Sequence, residues 1–267
     1  MTSRNLQLIL AYDGSGFHGW QRQPGVRSVQ GEVEATLRPI LRHPLTAHGA
    51  SRTDAGVHAR GQCAHVPTDC AIPLENLRRA VAHHLPPDLA LVHMRDVAVD
   101  FHASRSALCK LYRYRLYAAP QRPVEHHVAG YTYHVWYLLD EERLREAARR
   151  LVGRHDFQGF ASAGSPKQTT VRTIQSVEIS RAGREIRIDF VGDGFLYNQV
   201  RNMVGTLIEI ARGHWPIERI DEILAARDRR LAGPTAPAHG LCLEWIRYPR
   251  LVPAAGPARE SVGGETA

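Results

Sequence analysis

The chain has 267 residues, 43% of them hydrophobic and 23% charged, which supplies a core for one large or two moderate domains and excludes disorder over most of the length. No apolar run approaches the ~18 residues of a membrane-spanning helix. Residues 1–5 lead straight into strand-like alternation, without the apolar stretch and cleavage site of a signal peptide, so the cytoplasm is the expected location. The formal net charge is +7, and all but two of the 34 Lys and Arg are arginine, the lysines being Lys110 and Lys167. Guanidinium forks suit phosphate and bases. GC-rich coding gives the same bias, so charge alone leaves nucleic-acid binding open. Cys63, Cys70, Cys109 and Cys242 show no Cys-x-x-Cys spacing, which argues for free thiols over a zinc site or a disulfide framework.

In chain order, residues 6–12 read as a strand. Val29, Val33, Leu37 and Leu41 then recur at helical spacing behind Ser28, a candidate N-cap. Strands are predicted over Leu45–Ser51 and Gly61–Pro67. Pro73 opens a helix carrying Leu74, Leu77, Val81 and Leu85, and Leu89–Arg95 is strand-like. The order β-α-β-β-α-β is the ferredoxin-like signature. A second round follows. It comprises a strand at Leu111–Tyr117, a loop with His126-His127, a helix from Asp140, and a hairpin of Val171–Ile179 with Glu185–Val191. A helix through Val200, Val204, Leu207 and Ala211, a short helix through Ile217, Ile220 and Leu224, and a strand at Leu241–Arg247 complete it.

The expected fold is therefore α+β. Two ferredoxin-like halves with mixed, mainly antiparallel sheets carry helices on the outer face and leave a central cleft open to a ligand larger than a metabolite. The divisions are 1–107, 108–249 and a flexible Pro/Gly/Ala/Glu-rich tail at 250–267. The helix over Val200–Ala211 serves either as a subunit interface or as core.

Between two of the predicted strands lies Arg52-Thr53-Asp54-Ala55-Gly56-Val57-His58-Ala59. Taken alone, Asp54 reads most simply as a turn former capping backbone N–H groups. The surrounding string resembles the active-site loop of the tRNA pseudouridine(38–40) synthases. The resemblance extends to Tyr12-Asp13-Gly14-Ser15-Gly16-Phe17-His18-Gly19-Trp20-Gln21-Arg22-Gln23, to Ser28-Val29-Gln30, and to Asp100-Phe101-His102-Ala103 with Arg105. It continues through Tyr112-Arg113-Tyr114, Val200-Arg201-Asn202-Met203-Val204-Gly205, Asp228-Arg229 and Gly240-Leu241. These blocks, in order, span nearly the whole chain. One departure is Ser51, where many members of that family carry glycine, and only a local effect is expected from it.

The resemblance implies isomerisation of uridine to pseudouridine at positions 38, 39 and 40 of the tRNA anticodon stem-loop, with Asp54 as nucleophile on a flipped-out base. The reaction oxidises nothing and loses no group, so no cofactor and no metal are expected. By analogy Arg201 is the charge partner of Asp54. Tyr112 matches the family's active-site tyrosine, expected first as a stacking face and second as a proton acceptor, because an ordinary phenol with a pKa of ~10 is a poor base. Arg52 fills the space left by the base or holds its phosphate. Leu243 either walls the pocket or is ordinary core. Arg105, Lys110, Arg113 and Arg115 form a basic run interleaved with Tyr112 and Tyr114, and Arg22, Arg27, Arg78 and Arg79 add charge for the RNA backbone. The family also implies a homodimer holding one tRNA across both subunits.

Two other readings compete. A non-catalytic tRNA-binding or chaperone module on the same scaffold would bind without product. A metal-dependent nuclease would need the histidines, yet neither His83-His84 nor His126-His127 has metal spacing with a carboxylate between. Gly192-Asp193-Gly194 is a turn that lacks the phosphate-cradling glycine pattern.

Overall fold

The computed structural model describes residues 4–164 and 169–249, so the expected flexible tail at 250–267 lies outside the described residues. β1 (Arg4–Tyr12) buries Leu6, Leu8 and Leu10 on one side by simple alternation. Ser28 caps α1 (Val29–Leu41) by accepting from the Gly31 amide, which holds the apolar stripe of Val29, Val33 and Leu37 against the sheet. β2 (His48–Gly49), β3 (His58–Thr68), α2 (Leu74–His84) and β4 (Leu89–Val97) complete the first half. The second half runs β5 (Cys109–Ala118), α3 (His126–Ala129), β6 (Tyr133–Val135), α4 (Glu141–Arg149), β7 (Gly153–Asp156), β8 (Val171–Ala182), β9 (Glu185–Gly192), α5 (Gln199–Ala211), α6 (Arg219–Ala226) and β10 (Leu241–Arg247).

All ten strands join one α+β sheet in the order β4-β1-β3-β10-β5-β9-β8-β7, with β2 beside β3 and β6 beside β5. Pairing is antiparallel except for β10 with β3 and β5 with β6. The last strand is thus the seam. β10 lies antiparallel to β5 and meets β3 through Cys242 opposite His58 and Leu243 opposite Ala59. It places the loop before β3 next to the end of the second half.

Several expectations change. The strand over Leu45–Ser51 shrinks to β2. The Ala50 amide still reaches the Cys63 carbonyl at 2.8 Å, but Ser51 is held by the Gln62 side chain instead of by a backbone ladder. The segment thereby bends out of the sheet toward the site. The loop with His126-His127 contains the short α3. β6 and β7 were not foreseen, and Gly153-Arg154-His155-Asp156 offers no apolar alternation to reveal the pairing of β7 with β8. α5 is core. Met203, Val204, Leu207 and Ile210 are fully buried within the chain, which removes this helix as a subunit interface. The basic run also divides. Strand alternation sends Lys110 and Tyr112 to one side of β5 and Arg113 and Arg115 to the other, where Arg113 grips Asp189 at 2.6 and 2.7 Å and Arg115 bonds Glu244 at 2.9 Å. Two of the four cations are spent inside the fold.

All four cysteines are free, and among the described residues no helix is long and apolar enough to cross a membrane. α5 and the 233–236 segment touch so closely that a Cβ on Gly205 would lie 1.7 Å from the Pro234 carbonyl oxygen. Gly205→Ala is therefore expected to destabilise the fold by ~2 kcal/mol or more in urea unfolding, and a loss below ~0.5 kcal/mol would contradict this packing.

Candidate active site

Asp54 occupies the first position of a tight turn. The Val57 amide donates to the Asp54 carbonyl at 3.1 Å, and Gly56 takes φ +77°, the left-handed value a type II turn requires at its third residue. The turn rests on the N-terminal Tyr12–Trp20 segment. Thr53 shares a 2.8 Å hydrogen bond with the Tyr12 hydroxyl, and the Trp20 amide donates to the Thr53 carbonyl at 3.0 Å. Gly14 backs onto Val57, where a Cβ would come within 2.2 Å of the carbonyl oxygen, and its amide donates to His58 Nδ1 at 3.0 Å. The glycine-rich N-terminal motif is a buttress for the Asp54 turn.

Arg201 reaches the same carboxylate from α5 in the other half. Its Nη1 lies 3.3 Å from Asp54 Oδ2 and 3.0 Å from Asn198 Oδ1, while Nε donates to the Ala236 carbonyl at 2.7 Å. The side chains of Asp54 and Arg201 are 17% and 16% exposed, so the pair is mostly withdrawn from water but open on one side. Burial pushes the Asp54 carboxyl above its ordinary 3.8, and the Arg201 guanidinium pulls it part of the way back. The site thus holds a poorly solvated carboxyl group facing a guanidinium.

Tyr112 is 5% exposed, with its ring edge-on to Phe195 at 5.3 Å and its hydroxyl 2.9 Å from Ser51 Oγ. Burial pushes the phenol up, against a smaller opposing pull from the Ser51 bond, so a tyrosinate base is disfavoured and an aromatic face is what the residue offers. Lys110 donates to the Ala50 carbonyl at 2.7 Å and lies 3.5 Å from Ser51 Oγ.

These groups line one cavity of about 1120 Å³, larger than the ~300–1,000 Å³ usual for small-molecule pockets. Asp54 is the only carboxylate among the described lining residues, against the cations Arg52, Lys110 and Arg201. That balance leaves a single acid among three cations. Arg52 is exposed on the lining, where it is available to phosphate.

The remaining sequence candidates are dispersed. Leu243 is fully buried opposite Tyr112 on β10, while Leu241 of the same strand lines the cavity. Arg105 is exposed just beyond the lining residue Ser104. Arg22 bonds the buried Glu34 at 2.8 Å, and Arg78 pairs with Glu75 on α2 at 3.0 Å; neither belongs to the lining. Sequence reasoning missed Asn198, whose left-handed φ of +57° starts α5 and steadies Arg201, and Phe195, which props Tyr112. It also treated Ser51 as a local departure, although Ser51 is the hydrogen-bond partner of Tyr112. Among the described residues no group of three or more His, Cys, Asp or Glu is placed to hold a metal.

An isolated carboxylate, a guanidinium and an aromatic ring thus share one large cavity. A family model described as tRNA pseudouridine synthase matches residues 8–104 and 147–249. The chain is 46% identical over 245 residues to a tRNA pseudouridine synthase A of Moorella thermoacetica, covering 91% of this chain and 99% of that one. Identity is 45% to the protein of that name from Halalkalibacterium halodurans, with 89% and 90% covered, and 41% to that from Acetivibrio thermocellus, with 92% and 100% covered. The chain belongs to the tRNA pseudouridine synthase family and is an isomerase of that class.

If Tyr112 acts through its face, Tyr112→Phe is expected to keep tRNA affinity and most of kcat, whereas Tyr112→Ala lowers kcat/KM at least about tenfold. Equal losses in single-turnover assays would transfer the role to the hydroxyl. Arg52→Ala is expected to reduce the slope of log K against log salt by about 0.9 in tRNA titrations, and Arg78→Ala to leave it unchanged.

Proposed function

We propose that this protein converts uridine to pseudouridine at positions 38, 39 and 40 of the tRNA anticodon stem-loop, with Asp54 as the nucleophile on a flipped-out uridine. The reaction breaks the C1′–N1 bond, forms C1′–C5 and moves the C5 proton. Atoms and electrons balance within the nucleotide, so no co-reactant is required. What the reaction needs is an anion at the linkage, as in glycosidic chemistry. The observation that carries the reading is Asp54 as sole carboxylate among the described lining residues, desolvated yet facing Arg201.

Extruding a base from a stem costs a few kcal/mol. Stacking on Tyr112 recovers part of it, and Arg52 enters the vacated space or clamps the phosphate. Modification of three neighbouring positions by one site calls for recognition of shape and backbone instead of base edges. A pure tRNA-binding module is disfavoured by the same carboxylate, since a desolvated anion facing RNA phosphate weakens binding and serves only chemistry.

The strand orders β4-β1-β3-β2 and β10-β5-β9-β8 support reading the chain as two ferredoxin-like halves, 1–107 and 108–249, with the cavity as the RNA cleft between them. The working form is a cytoplasmic homodimer. Exposed Val124, Trp136 and Leu138 offer apolar surface for the contact, in place of α5.

The test is to incubate wild type and Asp54→Asn with unmodified tRNA and map pseudouridine. Wild type is expected to give product at 38, 39 and 40. Asp54→Asn is expected to bind tRNA with similar affinity and give none. Product from Asp54→Asn would remove the proposed nucleophile.

A further inference from the structure

Three imidazoles cluster at the cavity wall, two of them on its lining. His48 on β2 stands opposite His65 on β3, and the rings stack at 4.9 Å with 23° between planes. His102 comes within 4.6 Å of His65 and 6.1 Å of His48. His48 and His102 line the cavity with Ser104 and Lys110, while His65 is 5% exposed and wedged edge-on against Phe101.

The cluster is fixed by its own backbone. His65 Nδ1 accepts from the Ala103 amide at 3.2 Å, and His102 Nδ1 accepts from the Ser104 and Arg105 amides at 3.2 and 3.3 Å. Those donors place the ring proton of both residues on Nε2 and lock the planes. The charge state is fixed as well. Burial, followed by the neighbouring imidazoles, pushes His65 down to about 4, and burial, Arg105 and His48 push His102 down. Both shifts favour the uncharged ring, which gives a phosphate little and an unstacked base a flat partner. Preorganised aromatic faces in a cationic groove are the means by which single-stranded RNA is held.

We propose that the His48–His65–His102 cluster is the seat for a second nucleobase, an unpaired neighbour of the target uridine on the same strand, with His48 and His102 presenting the faces and His65 anchoring them. Arg105 beside the seat takes the adjoining phosphate. A second stacked base offsets the strand distortion that accompanies extrusion, and it sets where along the RNA the Asp54 end is loaded. The seat deepens the proposed function and rests on a uridine being flipped to Asp54.

The experiment uses the full chain and anticodon stem-loop RNAs carrying a single abasic residue at each position flanking the target. His102→Ala and His48→Ala are expected to raise KM about tenfold with kcat within about twofold of wild type. His102→Tyr is expected to restore KM. On the substrate abasic at the seated position the penalty is expected to vanish, because the lost base and the lost ring are one interaction. The proposal is overturned if the alanine variants keep wild-type KM, if the penalty persists on every abasic substrate, or if His102→Lys rescues where His102→Tyr does not and the salt slope shifts by about 1, which marks a phosphate seat. Wild-type enzyme that binds the intact stem-loop without forming pseudouridine would instead refute the assigned target and leave the RNA-binding titrations to decide the seat.

Discussion

The structure depends on a charge contact made across the seam of its sheet. Asp54 and Arg201 are 147 positions apart in sequence, on a turn of the first half and a helix of the second. They meet because β10 returns to lie between β3 and β5. Neither side chain is well placed alone. A carboxylate withdrawn from water protonates or moves unless a cation faces it, and a guanidinium on a largely apolar helix needs an acceptor. Each half supplies what the other lacks, so the ion pair exists only in the folded whole.

Much of the rest holds that contact in register. In the N-terminal motif Gly14, Trp20 and Tyr12 face the back of the Asp54 turn. On the other side, the Ala236 carbonyl holds Nε of the guanidinium, and Asn198 shares Nη1 with the carboxylate. Tyr112 is steadied by Ser51 and Phe195. Preorganisation of this kind suits a reaction in which the protein contributes charge and position and the substrate contributes all the atoms.

How far the sequence anticipated this depends on the range of the forces involved. Elements built from local signals were legible. Ser28 caps α1 as its position before the apolar stripe implies, and the Leu241–Arg247 alternation is β10. The divided basic run was not legible, because alternation along β5 shows two faces but not that Asp189, Glu185 and Glu244 wait on one of them. β7 has no side-chain pattern and exists through backbone pairing alone. Asp54, Tyr112 and Arg201 were found through motif resemblance, and their meeting is a property of strand order that no local window contains. Phe195 belongs to the same class, since its partner Tyr112 is distant in the chain, whereas Asn198 lies three positions from Arg201 and carries no pattern that marks it. Ser51 was visible only as a small deviation, because its partner lies 61 positions away.

The proposed reaction requires Asp54 as a desolvated carboxylate held ionised by Arg201. A carbon-13 NMR titration of the Asp54 carboxyl, in wild type and in Arg201→Gln, tests it directly. The midpoint is expected above 3.8 in wild type, since burial outweighs the guanidinium, and higher still in the variant, since only burial remains. The acidic limb of pseudouridine formation should move upward with it. A midpoint at or below 3.8 in wild type, or one that does not rise when Arg201 is replaced, would contradict the account.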